Sequence, residues 1–194
     1  MAEPLVQLDE ARWVREAQRG DVDAFNRLVE RYQTFVYNVA YRTLGQPEDA
    51  ADATQEAFLS AYRHIRDFRG GSFKSWVARI VVNACLDARR TVRRRPATSM
   101  DAIVEELGEA PWADADAEDP ERVALSHDTR VAIEAAMAEL PAEQRVAVVL
   151  VDVQGLSYEE AADAMECALG TVRSRLARGR ARLRELLLPD GNLS

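Results

Sequence analysis

CALGTVRSRLARGRARLRELL, residues Cys167 to Leu187, is the stretch on which the fold turns. Six arginines fall within twelve residues, Arg173 to Arg184, with no acid and no lysine among them. At about 100° per residue, Leu169, Val172, Leu176, Leu183 and Leu187 form one stripe about 60° wide. Arg173, Arg180 and Arg184 flank that stripe on one side, and Arg175, Arg178 and Arg182 gather on a separate face. Gly179 borders the other edge, where a missing side chain permits close helix packing. The leucines anchor such a helix to its own domain while the arginines project outward. A helix of this kind fits the DNA major groove, about 12 Å wide, with arginines reaching guanine edges and phosphates. A merely solvated helix usually mixes charge signs at i,i+4. Six clustered like charges instead carry an electrostatic cost that a polyanion relieves.

Working upstream, Leu156-Ser157-Tyr158-Glu159-Glu160-Ala161 contains an S-x-x-E capping box, with Leu156 as the preceding apolar residue. A short helix therefore starts at Ser157 and ends near Met165–Cys167. The basic helix follows from about Leu169, with Thr171 available as its cap. Two helices joined by a few residues predict a helix-turn-helix, and Glu166 holds the turn position where glycine is common.

The chain as a whole is acidic, with net charge -8 over 194 residues. Its bases are 24 arginines and the single Lys74. Net charge does not prevent a local basic face from binding nucleic acid. Hydrophobic content of 47% is enough for packed cores. No run of about 18 apolar residues suggests a membrane span. The N-terminus, MAEPLVQLDEARW, lacks the basic and apolar regions of a signal peptide, so the protein is expected in the cytoplasm. Cys85 and Cys167 form no CxxC, and His64 and His127 have no second ligand at metal spacing, so no disulfide, metal or cofactor is expected. No Ser-His-Asp, Cys-His, Walker or HExxH arrangement appears, and Glu159-Glu160 is explained at least in part by capping. The chain does not read as an enzyme.

Glycine and proline sit at breaks between helical segments, and strand-like alternation is nearly absent. Helices are expected near 9–19, 21–44, 48–67 and 73–93, then near 126–139, 142–153, 157–165 and 169–187. Residues 97–125 carry nine acids against one base, Arg122, with Pro111 and Pro120. That composition buries little apolar surface and reads as a flexible acidic linker. The expected fold is all-α: two small helical domains, 9–96 and 126–188, joined by that linker.

The first set of helices has two characters. Asp49, Asp52, Gln55 and Glu56 give the segment from Asp49 to Phe68 an acidic and polar face. After the Arg69-Gly70-Gly71-Ser72 loop come Phe73-Lys74-Ser75-Trp76 and a helix ending in Arg89, Arg90, Arg93, Arg94 and Arg95. Aromatics beside basic residues and a glycine loop suit unstacked, single-stranded bases. Phe68, Phe73 and Trp76 also suit a core. Five arginines exceed what a helix C-terminus needs.

DATQEAFLSAYRHIRDFRGGSFKSWVARIVVNACLDARR and LPAEQRVAVVLVDVQGLSYEEAADAMECALGTVRSRLARGRARL, in this order around an acidic linker, resemble the bacterial extracytoplasmic-function (ECF) sigma factors of the sigma-70 family. The resemblance covers roughly residues 9–188 and implies sigma region 2 at 9–96 and region 4 (the helix-turn-helix) at 126–188. It implies that Asp49, Asp52, Gln55, Glu56 and Phe58 dock on core RNA polymerase, at the clamp helices of the largest subunit, with the flap as a further polymerase contact. Arg69, Gly70, Ser72, Phe73 and Lys74 match the loop that captures a flipped base of the -10 element, and Trp76, Arg79 and Asn83 the helix beside it. Tyr158, Glu159, Thr171, Arg173, Ser174, Arg175, Arg178 and Arg180 match the residues that read or hold the -35 duplex. The implied function is promoter-specific transcription initiation as an alternative sigma responding to stress or envelope signals. The implied partners are core polymerase, promoter DNA and an anti-sigma factor, and the linker would follow the path of nascent RNA. Departures from the pattern are Glu166 and Ala168, where many members have Gly and Pro, and Ala161 and Ala164, where many have Ile.

A stand-alone helix-turn-helix regulator would usually need a dimer surface and a palindromic site, and no heptad seam is present for one. A helical adaptor with no DNA role would leave the arginine cluster unexplained.

Overall fold

The structure, a computed structural model, describes residues 3–94 and 120–188, with side chains from 9 to 90 and from 129 to 188. Among the described residues there are eight α-helices: α1 (Glu3–Gln18), α2 (Val22–Leu44), α3 (Pro47–His64), α4 (Phe73–Arg94), α5 (Pro120–Ala138), α6 (Ala142–Val148), α7 (Tyr158–Ala164) and α8 (Leu169–Leu187). A 3₁₀ turn, Ile65–Asp67, ends α3, and a π-helical turn, Val149–Val153, continues α6. No strand occurs among the described residues.

Local sequence sets most of these boundaries. Asp21 caps α2 by accepting from the Ala24 amide at 3.1 Å, and Gly45 ends it in the left-handed conformation at φ 86°. Pro47 opens α3, where its missing N–H costs nothing. Pro120 likewise opens α5, so this helix takes in 120–125, which the sequence reading assigns to the linker. The rest of the expected linker, and Arg95, lie outside the described residues.

In the first half, α3 buries only alanines: Ala50, Ala53, Ala57 and Ala61. Small residues at i, i+3, i+7 and i+11 let α3 lie close against α2 and α4, whose larger Leu28, Val36, Val39, Val77, Val81 and Val82 fill the space between. Cys85 is wholly buried there, and burial pushes its thiol up to about 12, which leaves it inert. The second half packs Leu140, Val146 to Leu150, Leu156, Val172 and Leu176 around the fully buried Ala161 and Ala164.

The two helical domains the sequence reading expects pack against each other. Their buried residues form one continuous cluster, with α4 against α7 and α2 against α6. Arg145 on α6 is 3% exposed and donates to the carbonyls of Thr43 at 2.9 Å, Leu140 at 3.2 Å and Ala138. Arg89 on α4 reaches the Thr43 carbonyl at 3.4 Å. Two arginines thus converge on the negative end of α2, one from each half. Burial, and to a smaller degree Arg89, lowers the Arg145 pKa to about 10, still well above neutral pH.

Candidate nucleic-acid interface

The helix-turn-helix is built as the capping box requires. Ser157 Oγ accepts from the Glu160 amide at 3.1 Å, and the Glu160 carboxylate accepts from the Ser157 amide at 2.9 Å. These bonds, with smaller help from the hydroxyls of Ser75, Ser157 and Ser72, hold the Glu160 carboxyl below its ordinary range against partial burial. The turn after α7 carries Glu166 at φ 48°, the conformation glycine usually supplies. The sequence reading makes Thr171 the cap of α8, and the structure does not. Ala168 is the N-cap, with no side-chain bond, and the Thr171 carbonyl accepts from Ser174 Oγ at 2.9 Å. The chain is already extended at Ala168, so the helix begins ahead of Thr171, at Leu169.

Val172 and Leu176 are buried, as the wheel predicts, and Leu169 and Leu183 half-buried. Leu187 is 37% exposed, so the stripe outruns its support by one turn. Gly179 is buried against α6, where a Cβ would meet Val148 Cγ2 at 2.9 Å and the Gln144 carbonyl at 3.3 Å. The arginines divide. Arg173, Arg178 and Arg184 are exposed and make no ion pair among the described residues. Arg175 pairs with Glu143 at 2.7 Å, and Arg182 with Glu185 at 3.1 Å. Arg180 grips Asp152 with Nε at 3.0 Å and Nη2 at 2.5 Å, and this bond raises its pKa. Tyr158 is half-buried, and Glu159 is exposed at the start of α7.

In the first half, Arg69, Gly70 and Ser72 are exposed on the loop between the 3₁₀ turn and α4. Gly70 and Gly71 both have positive φ, 103° and 90°. Ser72 Oγ accepts from the Ser75 amide at 3.2 Å, so it caps α4. Phe73, matched by resemblance to the base-capturing loop, is 2% exposed and packs against Tyr32, Phe68 and Trp76 at centroid distances of 5.4 to 5.7 Å. It lies in the core beneath the loop, the alternative that composition leaves open. Trp76, Lys74 and Arg79 are half-buried, and Asn83 is exposed. Lys74 Nζ lies 4.9 Å from the Phe35 ring centroid.

One supporting residue escapes sequence reasoning. Gln18, at the end of α1, donates through Nε2 to the carbonyls of Ile65 at 3.1 Å and Phe68 at 2.8 Å. It pins the backbone that launches the loop. Nothing local marks a glutamine whose partners lie 47 and 50 residues away. Beside the loop opens a cleft of about 850 Å³ whose wall includes Arg15, Gln18, Tyr32, Arg69 and Lys74. Tyr32 donates its hydroxyl to Glu10, and burial, then this bond, pushes its pKa up to about 12.

On α3, Asp49, Asp52, Gln55 and Glu56 are all exposed, and Phe58 is half-buried. Leu59 and Tyr62, 43% and 45% exposed, continue this face one turn further. An apolar centre beside a polar rim is the anatomy of a protein interface. The helical spacing of 55, 59 and 62 is the signal the sequence reading passes over. Among the described residues no group of His, Cys, Asp and Glu could hold a metal, and no helix is long and apolar enough to cross a membrane.

Comparisons with known proteins place both halves in one family. The family model of sigma-70 region 2 matches residues 28–95, and that of sigma-70 region 4 matches residues 130–183. The chain is 42% identical over 166 residues to the ECF RNA polymerase sigma factor SigE of Mycolicibacterium smegmatis, covering 84% of this chain and 62% of that protein. It is 41% identical over 176 residues to the ECF RNA polymerase sigma-E factor of Escherichia coli, covering 90% of this chain and 92% of that one. The solved sigma factor RpoE in complex with the anti-sigma factor NepR, from Bartonella quintana, superposes with a TM-score of 0.67 at 26% identity, over 87% of this chain and 99% of that one. With two region models matched in order and relatives above 40% identity along most of the chain, this protein belongs to the sigma-70 family, as one of its ECF sigma factors.

Proposed function

We propose that this chain is the promoter-specificity subunit of a bacterial RNA polymerase, an alternative sigma factor and not itself an enzyme, acting in the cytoplasm where the polymerase is. The reading rests chiefly on one observation: two outward faces of different chemistry sit on one all-helical chain. The α3 face, Asp49 to Glu56 running into Leu59 and Tyr62, suits a protein partner and is assigned to core polymerase, at its clamp helices. The α8 face, with Arg173 and Arg178 open to solvent, suits duplex DNA and is assigned to the -35 element, with Tyr158, Glu159, Thr171 and Ser174 around it. Arg175 and Arg180 join that set once released from Glu143 and Asp152. Loop 69–72 with Lys74, Trp76, Arg79 and Asn83 is assigned to the opened -10 strand, with Phe73 beneath it. An anti-sigma factor is the expected antagonist, as in the complex of the Bartonella relative.

The two faces separate experimentally. Titration of the fluorescently labelled chain with core polymerase should saturate at one to one. Replacing Gln55 and Glu56 by Ala should weaken that binding about tenfold or more, and replacing Arg173 and Arg178 by Ala should leave it unchanged. Equal losses in both variants would refute the assignment.

A further inference from the structure

The arginines of α8 are not equally free, and the two acids that engage them from outside the helix come from one segment. Glu143 stands at the start of α6, and Asp152 in the π turn that continues it. Glu143 Oε2 accepts from Arg175 Nη2 at 2.7 Å. Asp152 accepts from Arg180 with both oxygens, from Nε at 3.0 Å and from Nη2 at 2.5 Å. That is the two-bond geometry a guanidinium also makes with phosphate. On an unbroken α-helix, positions 143 and 152 would face about 180° apart. A π turn closes its rings at i→i+5 and so winds fewer degrees per residue. The turn at Val149–Val153 therefore swings Asp152 back toward α8.

α6 and α8 are held together without these pairs. Gly179 lies against Val148 and Gln144, and Val172 and Leu176 are buried. One partner of each pair is at least half exposed, Glu143 at 61% and Arg180 at 50%, and such pairs add little to stability. What they do is occupy charge. Arg173, Arg178 and Arg184 stand exposed, whereas Arg175 and Arg180 already donate to carboxylates.

We propose that Glu143 and Asp152 are built-in competitors of DNA, which hold down the affinity of α8 for any duplex by occupying Arg175 and Arg180. The inference rests on the assignment of the α8 face to duplex DNA. Each arginine must leave a carboxylate before it reaches a phosphate or a base edge, and the carboxylate left behind repels the incoming strand. Non-specific duplex binding comes almost wholly from phosphate contacts. A helix with all its arginines open would therefore be held on DNA of any sequence, and two engaged arginines limit that.

The test measures binding of the full chain to a short mixed-sequence duplex labelled with fluorescein, by anisotropy from low to physiological salt. Glu143→Gln with Asp152→Asn, which keep size while removing charge, should tighten binding about three- to tenfold. The slope of log affinity against log salt should steepen by up to about 0.9 per arginine released. In an Arg175→Ala, Arg180→Ala background the same two substitutions should change affinity by less than about twofold at physiological salt, where repulsion beyond about 8 Å is screened. A purely structural role for the pairs predicts the opposite sign: a looser α8, lower urea stability and weaker binding. Unchanged or weaker binding in the acid variant, an equal gain in the background lacking Arg175 and Arg180, or no binding by any form would overturn the proposal. Arg173→Ala with Arg178→Ala reports separately on the face itself. If that variant loses binding while the acid variant gains nothing, the competitors fail and the assignment of α8 to duplex DNA stands.

Discussion

Single residues decide how tightly the recognition helix sits. Gly179 of α8 lies against Val148 and the Gln144 backbone. Helix propensity alone favours Gly→Ala by about 1 kcal/mol, but overpacking costs about 1–3 kcal/mol. Gly179→Ala should therefore lower stability by about 1 kcal/mol in urea unfolding. Gly170→Ala, on the same helix and with nothing within 4 Å of where its Cβ would stand, should be neutral or stabilising. Equal effects at both positions would mean that packing against α6 does not matter. Glu160 adds a pH dependence. Its bonds to Ser157, Ser75 and Ser72 hold its folded-state pKa below the unfolded value. Its contribution is therefore fully present above the ordinary carboxylate range and is lost as pH falls through the depressed folded-state value. Glu160→Gln should flatten the acid limb of a stability-against-pH curve, and an unchanged limb would contradict the assignment.

Among helices and loops, what was legible in the sequence is what depends on near neighbours. The leucine stripe of α8, the Ser157–Glu160 box and the start of α4 after two glycines are all local signals, and each appears where expected. What was not legible depends on distant partners or on helix phase. Thr171 has the chemistry of a cap, but the backbone turns helical at Leu169 and leaves it inside the helix. Phe73 reads equally as a base platform or as core, and only the convergence of Tyr32, Phe68 and Trp76 decides for core. The expected 142–153 helix divides at Val149, where a π turn runs to Val153. The Gln154 amide then bonds back to the Val149 carbonyl at 2.9 Å, and the Gln154 carbonyl is left to accept from Lys74. Gln18 and Arg145 act across long separations, 47 and 50 residues for the one and up to 102 for the other. Gln18→Ala removes both bonds holding the loop backbone, so it should weaken capture of an opened strand by holoenzyme several-fold while sparing polymerase titration. A change in polymerase affinity instead would place Gln18 in the docking face. Arg145→Met strands the carbonyls of Leu140 and Ala138 and leaves that of Thr43 with only the long bond from Arg89, and should cost about 1–3 kcal/mol in urea unfolding.

At the scale of the whole molecule, the two small domains expected from the sequence are present, and they pack together at α4–α7 and α2–α6. The compositional break between the halves gives no hint of this, because the joining groups are scattered: Lys74, Ser75, Arg79 and Asn83 on α4, Thr43 on α2, Arg145 on α6, then Gln154, Glu160 and Glu166. Acids from α7 and its turn meet the basic and polar face of α4, while the open arginines of α8 stay turned to solvent.

The most direct test of the central claim is run-off transcription by core RNA polymerase, freed of every other sigma, on a genomic fragment library with and without this protein. The account predicts specific transcripts that appear only with the protein, start at positions sharing two spaced upstream elements, and disappear in the Gln55→Ala, Glu56→Ala variant. The contrary result would be no dependence on the protein, together with tight polymerase-free binding to a symmetric DNA site.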